Sequence, residues 1–256
     1  MGGGSAAGCA DNKCPTQVAG KVQTAQNFTN FNTKDGTATE ENNSSILEVT
    51  VNEALNFSAS DSYSFEFWMK PKGNTTVDNE VVIRYGNFWI GRKDNQLKIE
   101  LPGGPRNRQV GALSINNWNH ITVVKDASEK KVYVYINGVE SASHDSDPSA
   151  LNSPSLYIGD YTTDLADKVH GFNGVLDEIA IYNGALSAAE VQNHYTAQSS
   201  NNNAPVITLT GPSTINLVVG DVYTEAGATS IRRRRWRYHR KYSDSNNSKY
   251  STCRNL

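Results

Sequence analysis

The 256-residue sequence is poor in the residue types and patterns that mark several large protein classes. It has three cysteines, five histidines and two methionines, and no apolar run reaches the roughly 18 residues of a membrane-spanning helix. No phosphate-binding glycine loop, dinucleotide fingerprint or Gly-x-Ser-x-Gly nucleophile motif occurs. These absences argue against a membrane-spanning protein, a nucleotide-binding enzyme and a serine hydrolase.

The first residues also lack the basic start and the apolar stretch of a secretory signal. Their Gly, Ser and Ala content is typical of a linker, which we place at residues 1–17, so we expect a fragment of a longer secreted or cell-surface protein. Cys9 and Cys14 flank a short segment beside Pro15, a spacing that permits a local disulfide in an oxidising compartment. Two free thiols are the alternative.

What the sequence has in abundance is Asn, Ser and Thr, with Val, Ile and aromatic residues clustered in short runs. Such runs, separated by turn residues, predict about a dozen strands between Lys21 and Asn183, spaced like a two-sheet sandwich. Asn137-Gly138 predicts a tight hairpin, and Ser141–Asn152 is expected to be a polar loop. The other predicted strands are Lys21–Phe28, Ile46–Val51, Ser62–Lys70, Glu80–Tyr85, Phe88–Gly91, Gln96–Leu101, Trp118–Lys125, Lys131–Ile136 and Leu156–Gly159.

The segment Gly171–Tyr195 combines a central strand, a stop and a helix. Both faces of the strand are apolar, and Asn183-Gly184 ends it with turn chemistry. Ser187 lies three residues before Glu190, a capping box that predicts a helix of about two turns. We therefore expect this segment to close the domain.

Gly171–Tyr195 closely resembles the closing segment of the laminin-G-like, concanavalin A-like jelly-roll domains of bacterial multi-domain proteins. That family pattern is F-x-G-x-[IL]-D-E-[VI]-x-[IL]-Y followed by A-L-S-x-x-E-[VI]. The matching residues are Phe172, Gly174, Leu176, Asp177, Glu178, Ile179, Ile181, Tyr182, Ala185, Leu186, Ser187, Glu190 and Val191. Further matches are Trp68–Pro71, Trp118, His120 and Tyr135–Gly138. The resemblance implies an all-β, two-sheet antiparallel jelly-roll sandwich at residues 18–197 that usually binds rather than catalyses.

Residues 198–203 are typical of a linker, and residues 204–231 resemble the opening of a bacterial Ig-like surface repeat, a partial β segment. The tail then changes character: residues 1–231 carry 15 Lys and Arg against 25 Asp and Glu, whereas residues 232–256 carry 9 against 1. A basic arm for nucleic acid is one interpretation. Residues 232–256 can be written with permitted codons whose shifted frame, read one base later, encodes an acidic continuation that suits the Ig-like repeat. We therefore predict that the tail is out of frame and that the protein has no nucleic-acid partner.

Concanavalin A-like folds also host laminarinase-type hydrolases, whose acid and nucleophile lie on one strand as E-x-D-x-x-E. That triplet is absent, and the neighbours Asp177 and Glu178 point to opposite faces of a strand. We therefore predict a non-catalytic binding domain, with carbohydrate as its ligand. The alternatives are a protein–protein adhesion or spacer domain that contacts a surface protein, and an accessory domain of a glycoside hydrolase.

Calcium is the predicted cofactor, because related jelly rolls hold a structural calcium with an aspartate on the last long strand, a position that Asp177 matches. The alternative is that Asp177 is a buried acceptor for loop amides. A glycan would contact aromatic rings and polar side chains; the ligand-binding candidates are Arg84, Tyr85, Trp89, Arg92, Arg106 and Arg108. Core or sheet packing is the alternative for Trp89 and for Trp68, and Trp118 is assigned to the core.

Overall fold

A computed structural model of the chain describes residues 14–29, 45–51, 53–73, 79–101, 108–146, 149–160, 171–199, 206–209 and 228–231. The described part consists mainly of β-strands, with a short 3-10 turn at Glu53–Leu55 and a helix, α1 (Ala188–Ser199). The strands are β1 (Thr16–Ala19), β2 (Thr24–Phe28), β3 (Leu47–Thr50), β4 (Tyr63–Pro71), β5 (Glu80–Tyr85), β6 (Phe88–Lys93), β7 (Gln96–Glu100), β8 (Arg108–Ala112), β9 (Asn119–Asp126), β10 (Lys131–Ile136), β11 (Val139–Asp145), β12 (Ser155–Ile158), β13 (Gly174–Tyr182), β14 (Val206–Leu209) and β15 (Ala228–Ile231).

Two antiparallel sheets form the body of the domain. The seven-stranded sheet has the order β1-β2-β13-β4-β9-β10-β11, and the six-stranded sheet has the order β3-β12-β5-β6-β7-β8. The closing strand β13 lies between β2 and β4, so both of its edges are hydrogen-bonded and it is a central strand, as predicted. The predicted all-β jelly-roll sandwich is confirmed.

The core lies between the two sheets because side chains alternate along each strand. In β4, Tyr63, Phe65 and Phe67 face the core, and the intervening residues face away from it. The Phe65 ring meets the Phe88 ring of the opposite sheet at a centroid distance of 4.9 Å. Burying each such ring contributes roughly 1.5–3 kcal/mol, so the aromatic strands fix how the two sheets face each other.

Three edge strands were not predicted from the sequence: β1, β8 and β11. The loop predicted at Ser141–Asn152 is wrong over its first part, because β11 continues to Asp145 as the edge of the seven-stranded sheet. The sequence of β11 has no apolar alternation, and its side chains are mostly exposed. Its strand conformation depends instead on antiparallel pairing with β10, which a local pattern does not reveal.

The C-terminal strands β14 and β15 pair with each other in antiparallel register, and the Ig-like assignment of residues 204–231 stays a prediction. The predicted out-of-frame tail lies outside the described residues, as do Cys9 and Arg106. Cys14 is disulfide-bonded. Among the described residues, no helix combines the length and apolar character needed to cross a membrane.

Candidate binding surface

A row of polar and aromatic side chains crosses the outer face of the six-stranded sheet. Strand register places Glu48 opposite Tyr157, Tyr157 opposite Arg84, Arg84 opposite Trp89, and Trp89 opposite Glu100. Both chain neighbours of each of these residues pack in or against the core. Because successive side chains point to opposite faces, the five residues share the face turned away from the core, and we call them the polar row.

Hydrogen bonds fix the two ends of the polar row. At one end, Glu48 Oε1 accepts from Tyr157 Oη at 3.1 Å and from Ser155 Oγ at 2.5 Å. At the other end, Trp89 Nε1 donates to Glu100 Oε2 at 2.7 Å. Burial is the main cause that raises the pKa of Tyr157, so its hydroxyl stays protonated near neutral pH. The row therefore has a carboxylate at each end and the Arg84 guanidinium in the middle.

The polar row is only partly open to solvent. Glu48, Arg84, Glu100 and Tyr157 are half-buried, whereas Trp89 is 5% exposed. Tyr157 is therefore the aromatic ring of the row that a ligand can reach, and Trp89 acts mainly through its bond to Glu100. The sequence identified Arg84 and Trp89 but missed Tyr157, Glu48 and Glu100.

Tyr85 is not available to a ligand, which corrects its choice as a binding candidate. Its side chain is 1% exposed and belongs to the core. Its hydroxyl donates to the Leu55 carbonyl oxygen at 2.9 Å. The alternation of β5 explains this placement, because Tyr85 has the opposite parity to Arg84.

Arg92 is also a structural residue rather than a ligand contact, a second correction. It is 0% exposed, and its Nε and Nη2 atoms donate to Glu80 at 2.8 Å and 2.9 Å. Its remaining N–H groups donate to the backbone carbonyls of Gly73, Asp94 and Lys72. Burial raises the pKa of Glu80, an effect that the charge of Arg92 opposes. A buried, fully bonded guanidinium has no donor left for a sugar.

Two further placements differ from expectation. Arg108 begins the edge strand β8 and lies opposite Ile99 rather than in the polar row. It lies near His144, whose pKa is lowered by burial and by the Arg108 charge.

Trp118 is half-buried rather than part of the core, because it precedes β9 instead of lying within the strand.

Asp177 accepts backbone hydrogen bonds in the described structure. Its Oδ2 accepts from Val22 N at 2.9 Å, and its Oδ1 accepts from Glu178 N at 2.8 Å. Both of these partners are backbone N–H groups, which donate hydrogen bonds, whereas a calcium ion requires several oxygen ligands. Among the described residues, no three His, Cys, Asp or Glu side chains could hold a metal ion together. These residues fit an amide anchor better than an ion site, and calcium at Asp177 stays a prediction.

Helix α1 covers the central strands of the seven-stranded sheet on its outer face, where it lies over a group of polar and aromatic residues. We call this group the helix-contact cluster; it consists of Glu66, Trp68, His120, Tyr182, His194 and Tyr195. Trp68 lies opposite His120 in the β4–β9 pair, and its Nε1 donates to Gln198 of α1. The sugar-stacking role considered for Trp68 therefore has no open ring face in this structure, since the ring is buried.

Known proteins resemble this chain in sequence or in structure, at low sequence identity. Botulinum neurotoxin type X of Clostridium botulinum is 24% identical over 179 residues, which is 62% of this chain and 13% of that protein. The binding domain of Paraclostridial Mosquitocidal Protein 1 has a TM-score of 0.57 at 21% identity, covering 78% of this chain and 54% of that one. A putative carbohydrate binding protein from Bacteroides ovatus has a TM-score of 0.50 at 18% identity, covering 66% and 45%.

The chain thus spans about half or less of the length of these relatives, and their structural likeness shows the shared fold. Family membership is shown by the sequence itself, since residues 42–192 match the profile described as the concanavalin A-like lectin/glucanases superfamily. That match includes β3 to β13 and the beginning of α1. The chain belongs to the concanavalin A-like lectin/glucanases superfamily.

Proposed function

We propose that this domain is a non-catalytic carbohydrate-binding domain and that the polar row is its binding face. The observation that carries the proposal is the alignment of Glu48, Tyr157, Arg84, Trp89 and Glu100 across five adjacent strands. Helix α1 covers the central strands of the other sheet on its outer face, so we place the ligand on the six-stranded sheet. The binding domains among the structural relatives support the same class of function.

The chemistry of the polar row suits sugars. An aromatic ring such as Tyr157 offers an apolar face for sugar C–H groups with a polar tip beside it. Arg84 supplies hydrogen-bond donors, and Glu48 and Glu100 supply acceptors for hydroxyl groups. Since two carboxylates flank one guanidinium, the row favours uncharged polysaccharides over polyanions.

The alternative partner is a surface protein, as in an adhesion or spacer domain. Among the described residues, Val139 is the one large hydrophobic side chain that is strongly exposed, at 66%. A single exposed valine is not the contiguous apolar patch that marks a protein interface. This observation favours glycan, and it is equally compatible with an accessory role beside a glycoside hydrolase. Residence in a secreted or cell-surface protein is part of the proposal.

Calorimetric titration of the full chain against a panel of soluble uncharged polysaccharides tests the proposal. We expect saturable binding that the Tyr157→Ala variant weakens by about tenfold, because loss of a contact ring typically costs more than about 1 kcal/mol. Tyr157→Phe keeps the ring and should stay within a few-fold of the wild type. Tyr133→Ala removes a half-buried tyrosine from the other sheet and is the matched control.

The same titration separates the alternatives. Equal binding by wild type and Tyr157→Ala would show that the polar row is not the binding face. The absence of heat with every polysaccharide would favour protein adhesion. Repeating the titration with calcium and then with chelator tests the cofactor prediction. Binding lost on chelation would support a calcium ion near Asp177, whereas unchanged binding would leave Asp177 as an amide acceptor only.

A further inference from the structure

Helix α1 is attached to the seven-stranded sheet mainly by polar and aromatic contacts. Val191 is its buried residue among the described side chains, and Leu186 just before the helix packs beside it. An isolated helix of this length is marginal in water, so its helical state depends on docking. The contacts beyond Val191 therefore decide whether the second half of α1 stays on the sheet.

Glu66 is the centre of these contacts. It lies on β4, is 3% exposed, and its Oε2 accepts from Tyr182 Oη at 2.6 Å. His194 of α1 places Nδ1 3.0 Å from the same oxygen, and His120 of β9 places Nε2 2.9 Å from Oε1. One buried carboxylate thus joins three sheet strands to the helix.

A second contact holds the C-terminal end of α1. The Tyr195 ring stacks on Trp68 at a centroid distance of 5.8 Å, and the Lys21 ammonium lies 4.9 Å from the centre of the Trp68 ring. Lys21 is positioned by the bond from Val22 N to Asp177. The aromatic contact does not depend on the charge of His194, so it provides a constant part of the docking energy.

We propose that α1 is a pH-dependent latch, in which protonated His194 fastens the helix to Glu66 and deprotonated His194 loosens it. Within the described part of the chain, the charged and titratable groups that face His194 are Glu66 from β4, Tyr182 from β13 and Glu190 from α1. His120 from β9 shares the Glu66 carboxylate. A cationic imidazole completes a charge-assisted hydrogen bond to a buried carboxylate, which is stronger than a neutral one.

The direction of the pH effect follows from the two pKa changes. The bond to Glu66 raises the pKa of docked His194 above its ordinary 6.5, so its contribution is complete below that value and is lost as the pH rises through the raised pKa. Burial alone would raise the pKa of Glu66, but the two histidines and Tyr182 lower it to about 2. Only the part of this lowering that comes from His194 depends on docking; that part is present above about pH 4.5 and is lost as the pH falls toward 2. Docking is therefore strongest at mildly acidic pH.

The position of the latch gives it a consequence for the longer chain. Helix α1 ends at Ser199, and the next described strand begins at Val206. A docked helix fixes where the chain leaves the sandwich. A loosened helix frees that exit, so the latch would make the orientation of whatever follows the domain dependent on pH.

Amide hydrogen exchange of the full chain, corrected for the intrinsic pH dependence of exchange, tests the latch. We expect protection of the α1 amides, relative to those of β9, to fall as the pH rises from about 5.5 to about 8.5. The docking constant of α1 with protonated His194 should exceed the constant with neutral His194 by about tenfold for each unit by which docking raises the His194 pKa. His194→Gln keeps a polar side chain but cannot titrate, so its α1 protection should not vary with pH. Asn193→Gln, on the exposed side of the same turn, is the matched control and should behave as the wild type.

Two results would overturn the proposal. One is wild-type α1 protection that is the same at both ends of the pH range while the β9 protection is constant. The other is an unchanged pH dependence in His194→Gln, which would assign the effect to another group. Each result is independent of glycan binding, because no ligand is present in the experiment.

Discussion

Arg92 and Glu80 form a buried ion pair, and the hydrogen bonds around this pair explain why a charged residue lies in a β-sandwich interior. Each N–H group of Arg92 has an acceptor, either Glu80 or a backbone carbonyl. The three carbonyls belong to Lys72, Gly73 and Asp94, which directly follow β4 and β6. The Arg92 side chain therefore links the ends of two strands, and it stabilises them by donating hydrogen bonds to their carbonyl groups.

Replacing Arg92 by alanine should destabilise the domain by about 3–5 kcal/mol, because Glu80 would remain as an unpaired buried charge. Chemical denaturation measures this change. Arg92→Lys keeps the charge but loses the forked geometry and should be intermediate. If Arg92→Ala were as stable as the wild type but failed to bind glycan, Arg92 would be a ligand contact after all.

Helix α1 and the β10–β11 hairpin are the elements whose local signals are clearest. Ser187 N donates to Glu190 Oε2 at 2.9 Å, and Glu190 N donates back to Ser187 Oγ at 3.3 Å, so the predicted capping box is present. Asn137 and Gly138 have φ values of 54° and 79°, as a tight turn with left-handed residues requires. The helix is longer than the predicted two turns because its later residues are held by contacts with the sheet, which the capping box does not indicate.

The Ser187→Ala variant should weaken α1 by about 1 kcal/mol, since the Glu190 amide loses its acceptor. The expected readout is a loss of hydrogen-exchange protection confined to α1, with the β9 amides unchanged. Ala188→Ser, on the exposed surface of the same turn, serves as the control. Protection lost equally in α1 and β9 would mean that the cap supports the whole sandwich rather than the helix alone.

Register between distant strands explains why the candidate binding surface was harder to predict than the fold. The closing motif and the alternation of β4 identify the sandwich, because both are local patterns. Glu48 and Tyr157 lie more than a hundred residues apart in the sequence, yet they are cross-strand neighbours. Alternation also separates Tyr85 from Arg84, a distinction that depends on which face of β5 meets the core. The burial of Arg92 depends on carbonyls from several turns, for which no sequence pattern exists.

At the scale of the whole molecule, the two outer faces of the sandwich carry different side chains. One face belongs to the seven-stranded sheet, and α1 covers its central strands through the helix-contact cluster. The other belongs to the six-stranded sheet and bears the polar row. We propose that the seven-stranded sheet holds the pH-dependent latch and that the six-stranded sheet contacts the ligand, and this division is the central claim.

The most direct test is a hydrogen-exchange footprint of the full chain with and without the polysaccharide that binds best in the calorimetric panel. The account predicts added protection in β12, β5 and β6, the strands that carry Tyr157, Arg84 and Trp89, with no change in α1 or β9. Added protection in α1, β9 or β4 with none on the six-stranded sheet would contradict it, because binding would then take place on the face that the helix closes.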